Sequence, residues 1–342
     1  MTERVLFSVI LSHNLDVVCI CLLYVNGDNF QLDDAFLQYV TEFGKKYVDK
    51  SEQKFRKAQL AVNLEIIKEH NARQSSYVLG VTQFSDLSHE EFAARFVVNE
   101  AIVKKAKEFE LLETEAYPTS GSSSLKQGLP SEVDWRLKNA VSTVKDQKSC
   151  GSCWAFSAVG SIEGAYAIYT GELVDLSPQY LVDCDYSDNG CSGGLMDNAF
   201  EFVMQDGVPL WDDYPYAGRQ NSCKKVPPKT SILGYYDVPA GSSYELMKAI
   251  ARNPVSVAIE ADTVVFQNYQ SGVLDDSACG HSLNHGVLAV GYSVDATKPY
   301  YIVKNSWGEK WGENGYIRLA ITDDYYGTCG IHLMSSYPFV NL

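Results

Sequence analysis

Apolar residues along this chain shift from a helical to a strand-like period, and that shift divides it. Phe36, Tyr39, Val40 and Phe43 recur at i, i+3, i+4 and i+7, the spacing of one helix face. Residues 52–71 run without Pro or Gly, with Leu60, Leu64 and Ile67 along one side, and predict a second helix. Gly80 breaks the pattern, and Val81-Thr82-Gln83-Phe84-Ser85 alternates like a strand. Ser88-His89-Glu90-Glu91 reads as a helix start with Ser88 at the N-cap, where a hydroxyl accepts from an otherwise orphaned backbone N–H.

Residues 97–128 change character. Lys104, Lys105, Glu108, Glu110, Glu113 and Glu115 lead into Pro118-Thr119-Ser120-Gly121-Ser122-Ser123-Ser124, a linker by composition, exposed and easily cut. The boundary before about Leu129 is the clearest in the chain. Beyond it, one strong helix is predicted over 153–169, closed by Gly171. Val255–Ile259, Val287–Val290, Tyr300–Val303 and Tyr316–Leu319 then alternate or run apolar between Gly and Pro turns, as strands do. The expectation is a helical half, about 138–237, facing a sheet half, about 238–342 plus 129–137.

Hydrophobic residues make up 46% of the 342, enough for a real core, so disulfides would reinforce a fold rather than replace one. The net charge of −15 and the lack of any basic block exclude nucleic acid as a partner. At the N-terminus, Arg4 precedes two apolar runs, Val5–Leu11 and Val17–Val25, separated by Ser12–Asp16. Neither run reaches the roughly 18 apolar residues of a membrane helix. With Val25-Asn26-Gly27 as a cleavage site, residues 1–27 read as a secretory signal. Two of the nine cysteines, Cys19 and Cys21, go with it, leaving seven. In an oxidising compartment six pair and one stays free.

The densest chemical signal is Gln147-Lys148-Ser149-Cys150-Gly151-Ser152-Cys153-Trp154. A Cys-X-X-Cys pair can bind metal, but no second pair supplies further ligands; a redox pair would not come with five other cysteines. Instead, Gly151-Ser152 makes a turn and Cys153 opens the predicted helix. There the positive end of the helix dipole favours thiolate, the attacking form of cysteine. A nucleophile needs a base. His285, at the head of the strand Gly286–Val290, and His281, after Cys279-Gly280, are near rivals on the residues alone. Asn305, followed by Trp307, can fix an imidazole tautomer, and Gln147 can donate to a developing oxyanion with the Cys153 backbone N–H.

Together these residues resemble a papain-family, cathepsin L-like cysteine protease precursor. Glu52, Arg56, Leu60, Asn63, Ile67 and Asn71 are similar to the family's interspersed pro-region motif, with Leu in place of Phe. Gly80, Thr82, Phe84 and Asp86 are similar to its second motif, with Thr in place of Asn, and Leu129–Arg136 resembles the mature N-terminus. The resemblance implies an α+β, two-domain papain-like fold with the active-site cleft between a helical half and a β-barrel-like half, preceded by a helical inhibitory pro-domain over 28–96 and a linker over 97–128. It implies catalytic roles for Cys153, His285, Asn305 and Gln147, choosing His285 over His281, and no cofactor or metal. It also implies the bridges Cys150–Cys191, Cys184–Cys223 and Cys279–Cys329, which leave Cys153 free.

By the same resemblance, Gly193, Gly194, Leu195, Met196, Ala258, Gly286, Trp307 and Met334 line the substrate site. Met334 stands where a charged residue would admit basic side chains, so Leu, Phe or Val is expected at P2. Asn284 stands where many relatives carry Asp. The implied protein is a monomeric zymogen in the secretory pathway, destined for a lysosome, a vacuole or the extracellular space. Its implied partners are protein and peptide substrates, its own pro-region and cystatin-type inhibitors. An exopeptidase would need an extra loop or a retained peptide to block one end of the cleft, and the Cys150–Cys191 spacing leaves no room for a long insertion; the presence of all four site residues disfavours a catalytically dead relative.

Overall fold

A computed structural model describes residues 28–73, 75–97, 99, 101–105, 128–275 and 279–340. The signal expected over 1–27 and the Pro118–Ser124 linker lie outside the described residues. The described residues divide into two compact units between Lys46 and Tyr47. The described part of the first is helix α1, Asp28–Phe43, in which Phe36 and Tyr39 are buried and the Tyr39 and Phe43 rings lie 5.0 Å apart.

The second unit opens with helix α2, Lys50–Asn71, capped by the Asp49 carboxylate, which accepts from Ser51 N and Glu52 N. Its buried stripe is Arg56, Leu60, Asn63 and Ile67. The polar members are buried because they are paired. Arg56 Nη1 donates to Glu91 Oε2 at 2.6 Å, and Asn63 Nδ2 to the Ser85 and Leu87 carbonyls. The strand expected at Val81–Ser85 is absent. Strand β1 is Tyr77–Leu79, and 83–86 form turns. The side chains explain the difference: Thr82 N donates to Ser85 Oγ and Phe84 N to Thr82 Oγ1, a local alternative to a strand ladder. Ser88 caps helix α3, His89–Phe92, through a reciprocal capping box with Glu91.

The sheet joins β1 to β2 (Glu132–Asp134), β3 (Gly234–Asp237), β4 (Val255–Ile259), β5 (Tyr269–Leu274), β6 (His285–Ser293), β7 (Tyr300–Lys304), β8 (Tyr316–Ala320) and β9 (Ser335–Phe339). Its order is β1-β5-β8-β7-β6-β4-β9-β3, with β2 also on β6. Only the β5–β8 pair is parallel among the described strands. β6 is buried along its whole length, so its residues read as a continuous apolar run rather than an alternation.

Against β6 packs helix α4, Cys153–Thr170, ended by Gly171 at φ 78°. It is buried on nearly every side, hence its apolar sequence without a polar face. Gly160 allows the close approach: a Cβ there would stand 2.8 Å from Leu288 Cδ2. Helices α5 (Pro178–Cys184) and α6 (Met196–Asp206) complete the helical half around Ile162, Leu181, Phe200 and Val203. Two short elements, α7 (Ser243–Ile250) and α8 (Val264–Gln267), belong to the sheet half. There the core combines Val257, Tyr292, Tyr301, Trp307 and Trp311 with Tyr77, Leu79, Phe84 and Phe92 from the N-terminal region. Burying each such aromatic contributes about 1.5–3 kcal/mol, so this region is held by core, not only by surface contacts. Disulfides join Cys150 to Cys191, Cys184 to Cys223 and Cys279 to Cys329. No helix among the described residues is long and apolar enough to cross a membrane.

Candidate active site

Cys153 is the free cysteine among the described residues, and it stands at the first position of α4, 1% exposed. Its Sγ accepts from the backbone N–H of Gly286 at 3.4 Å, which puts it against the head of β6, where His285 lies. His285 Nε2 meets Asn305 Oδ1 at 2.9 Å. That oxygen also accepts from Ser306 N at 2.8 Å, which fixes it as the acceptor and assigns the imidazole proton to Nε2. Nδ1 is then a bare lone pair, buried without a hydrogen-bond donor. The Trp307 ring covers the histidine at 4.8 Å between centroids. His281 instead stacks on Tyr326 at 4.0 Å.

Gln147 is held from both ends. Its backbone N–H donates to Ser306 O, and its Oε1 accepts from Ser306 Oγ at 2.6 Å. The amide nitrogen is thereby aimed, and it donates to Cys150 O at 3.0 Å and Phe96 O at 3.5 Å. Tyr216 braces the same turn. Its hydroxyl donates to Gln147 O at 2.8 Å and lies 2.6 Å from Ser152 Oγ. Nothing in the spacing of Tyr216 signals this.

Burial governs the ionisation of the pair. It pushes the Cys153 thiol up, against hydrogen bonds from Gly286 and Asn99, and pushes His285 down to about 4, against its bond to Asn305. Burial in this closed state thus disfavours the charged form of each.

Asn99 and residues 101–105, which fall within the expected linker span, are built into the site. Asn99 is fully buried. Its Nδ2 donates to Gly194 O at 2.8 Å and lies 3.7 Å from Cys153 Sγ, while its Oδ1 accepts from Gly194 N at 3.1 Å. The carboxamide thus pairs with Gly194 as an extended peptide would. The same oxygen accepts from Ala101 N and Ile102 N, so Asn99 also caps the helical turn over 101–105. Ile102 is buried in one apolar cluster with Met196, Ala258, Leu283 and Met334, with Leu195 at its margin. Gly286 adjoins this cluster, a Cβ there falling 3.2 Å from Met196 Sδ. Gly193 lies at φ 110°, and a Cβ on Gly194 would meet Trp154 at 2.5 Å. Of the residues expected to line the substrate site, Trp307 alone falls in the other core, over His285.

Behind Asn305 lies a buried network that the sequence did not signal. Ser142 Oγ donates to Glu163 Oε2 at 2.6 Å and accepts from Lys304 Nζ at 3.1 Å; Glu163 Oε1 accepts from Leu176 N. Burial pushes Glu163 up and Lys304 down to about 8. Among the described residues no group of His, Cys, Asp or Glu is arranged to hold a metal.

A profile of papain family cysteine proteases matches residues 129–339, the part that carries Cys153, Gln147, His285 and Asn305. This chain belongs to the papain family of cysteine proteases. A second profile, the cathepsin propeptide inhibitor domain, matches residues 36–92. Cysteine proteinase RD21A of Arabidopsis thaliana is 45% identical over 82% of this chain and 60% of its own length. The chain therefore spans less than two thirds of that relative. It spans 99% of the senescence-specific cysteine protease SAG39 of Oryza sativa subsp. japonica, 39% identical over 99% of this chain. The solved recombinant stem bromelain precursor superposes with a TM-score of 0.81 at 37% identity, covering 91% of this chain and all of that one. The propeptide match takes in α2, β1 and α3, so the chain is a papain-family protease that carries its propeptide.

Proposed function

We propose that the chain is a cysteine endopeptidase made as a zymogen, with Cys153 as nucleophile. One observation carries this reading: a free cysteine at a helix N-terminus lies beside a histidine whose far nitrogen is fixed by Asn305 and whose near nitrogen is bare. Once the propeptide leaves and water enters, the thiol proton moves to His285 Nδ1, giving thiolate and imidazolium. The thiolate attacks the scissile carbonyl carbon, and the oxyanion accepts from Gln147 Nε2 and the Cys153 N–H. His285 gives its proton to the amine, the C–N bond breaks, and a thioester remains. Water then loses a proton to His285 and attacks the thioester; the C–S bond breaks and the thiolate returns.

Gly194 would pair with substrate backbone where Asn99 now sits. The apolar cluster that holds Met196, Ala258 and Met334, and Ile102 with them, supports Leu, Phe or Val at P2. Asn284, whose Oδ1 accepts from Ala261 N, puts no ionisable group beside the histidine from that position. Residues 1–27 would act as a signal into the secretory pathway, toward a lysosome, a vacuole or the outside, and cleavage near 128 would free a monomeric enzyme open to cystatin-type inhibitors. The test is acid activation of the purified precursor followed by active-site titration with an epoxide thiol inhibitor. Wild type should titrate and Cys153→Ala should not; a Cys153→Ala protein that hydrolyses peptides refutes the assignment. Equal rates on Leu-Arg and Arg-Arg reporters refute the P2 preference.

A further inference from the structure

The segment between Cys184 and Gly194 carries two acids that this reaction does not use. Asp185 and Asp188 are 2% and 7% exposed. Asp185 Oδ1 accepts from Ser187 N at 2.9 Å; Asp188 Oδ1 accepts from Leu195 N at 3.0 Å and from Asn198 Nδ2 at 2.9 Å. Each leaves its Oδ2 sealed from solvent without a donor, and the two carboxyls lie within hydrogen-bonding reach of each other. Two acceptors cannot satisfy one another, but a single proton between them satisfies both. Asp188 also backs the substrate segment directly: a Cβ on Gly194 would stand 2.6 Å from Asp188 Cγ.

We infer that a proton shared by Asp185 and Asp188 positions Gly193–Leu195 for substrate, and that its loss displaces the segment and weakens peptide binding. The inference rests on the reading above that Gly194 pairs with substrate backbone. The titratable group facing each acid is the other. α6 contributes the neutral Asn198 amide, and the Trp154 indole of α4, whose Nε1 donates to Gly190 O, lies against the same face of Gly194 as Asp188. Burial raises both acids, Asp188 to about 7. With both ionised, two like charges would face each other in a dry site directly behind Gly194.

The experiment is kcat and KM of the processed enzyme on a Leu-Arg fluorogenic peptide from pH 5 to 9, for wild type, Asp188→Asn and Asp185→Asn, with active sites titrated by epoxide. Asn at 188 donates to Asp185 as the shared proton does and keeps its own acceptor oxygen. Wild-type KM should rise about tenfold between pH 6 and 8, while each variant holds KM within about twofold over that range. The ionisation of Cys153 and His285, by contrast, moves kcat in all three proteins. A wild-type KM flat from pH 6 to 8 overturns the inference, even where a variant does not fold; so does an undiminished rise in either variant. A wild type that titrates no active site refutes the proposed function instead.

Discussion

Acid should open this precursor at the active site itself. In the closed state His285 is fully buried, and its pKa falls from 6.5 to about 4. Once the propeptide lifts, the imidazole meets water and regains at least its ordinary value. The closed form therefore binds fewer protons, and its stability rises with pH. That stability is fully present above 6.5, erodes as pH falls below 6.5, and is lost in full by about 4. The difference of 2.5 units at 1.36 kcal/mol each is about 3 kcal/mol, roughly two orders of magnitude in the opening equilibrium. Glu91, which pairs with Arg56, is held below its usual value of 4.5, so that link breaks only at lower pH. Because other buried acids also titrate in the window from pH 6.5 to 5, the comparison with a His285 variant is what isolates the histidine. Hydrogen exchange on a Cys153→Ala precursor, which cannot process itself, would follow opening through the amides of residues 99–105. After correction for intrinsic exchange, protection should fall steeply across that window, and His285→Gln should flatten the fall. An equal fall in the His285→Gln precursor refutes the reasoning.

Three further outcomes are expected. Gln147→Ala should lower kcat by about 10²–10³ with little change in KM, since the amide is asked to act on the oxyanion rather than on bound substrate; a pure KM effect contradicts the role. Glu163→Ala strands the buried Lys304 charge and should cost about 3–5 kcal/mol, read as a fall in the denaturant midpoint, whereas Glu163→Gln should cost less. Asn99→Ala removes a helix cap worth about 1 kcal/mol and two hydrogen bonds to Gly194 of about 1 kcal/mol each. Epoxide labelling of the unprocessed precursor at neutral pH should then rise about tenfold or more.

The chemistry was more legible in the sequence than its wrapping. Cys153, Gln147 and the start of α4 are dense in one short stretch, because a thiolate on a helix end requires local residues. The strands from Val255 onward showed through their apolar runs, because β6 and its neighbours are buried. Val81–Ser85 misled because hydroxyl-closed turns can alternate as strands do; the competing signal was Thr82 and Ser85 three residues apart. Asn99 and Ile102 carry no periodic signal. Their place is set by a groove made of residues nearly a hundred or more positions away, which no local pattern encodes. Lys304 and Glu163 hid for the opposite reason: each is a single charge inside an apolar element, and only the fold brings Ser142 between them. The Asp185–Asp188 pair carries no pattern in the sequence; its burial alone marks it.

β1 has a consequence for reversibility. It adds to the edge of β5 through Tyr77–Leu79, while Asn99, farther along the same propeptide, occupies Gly194. While the chain is continuous, these contacts re-form after each opening at an effective concentration that a tether of this kind sets in the millimolar range. A single cut near residue 128 removes the tether without touching any of those contacts. Re-closure then depends on the bulk concentration of free propeptide, which dilution or further digestion lowers by orders of magnitude. The cut thus acts as a ratchet: acid loosens a reversible door, and severing the linker makes the open state permanent.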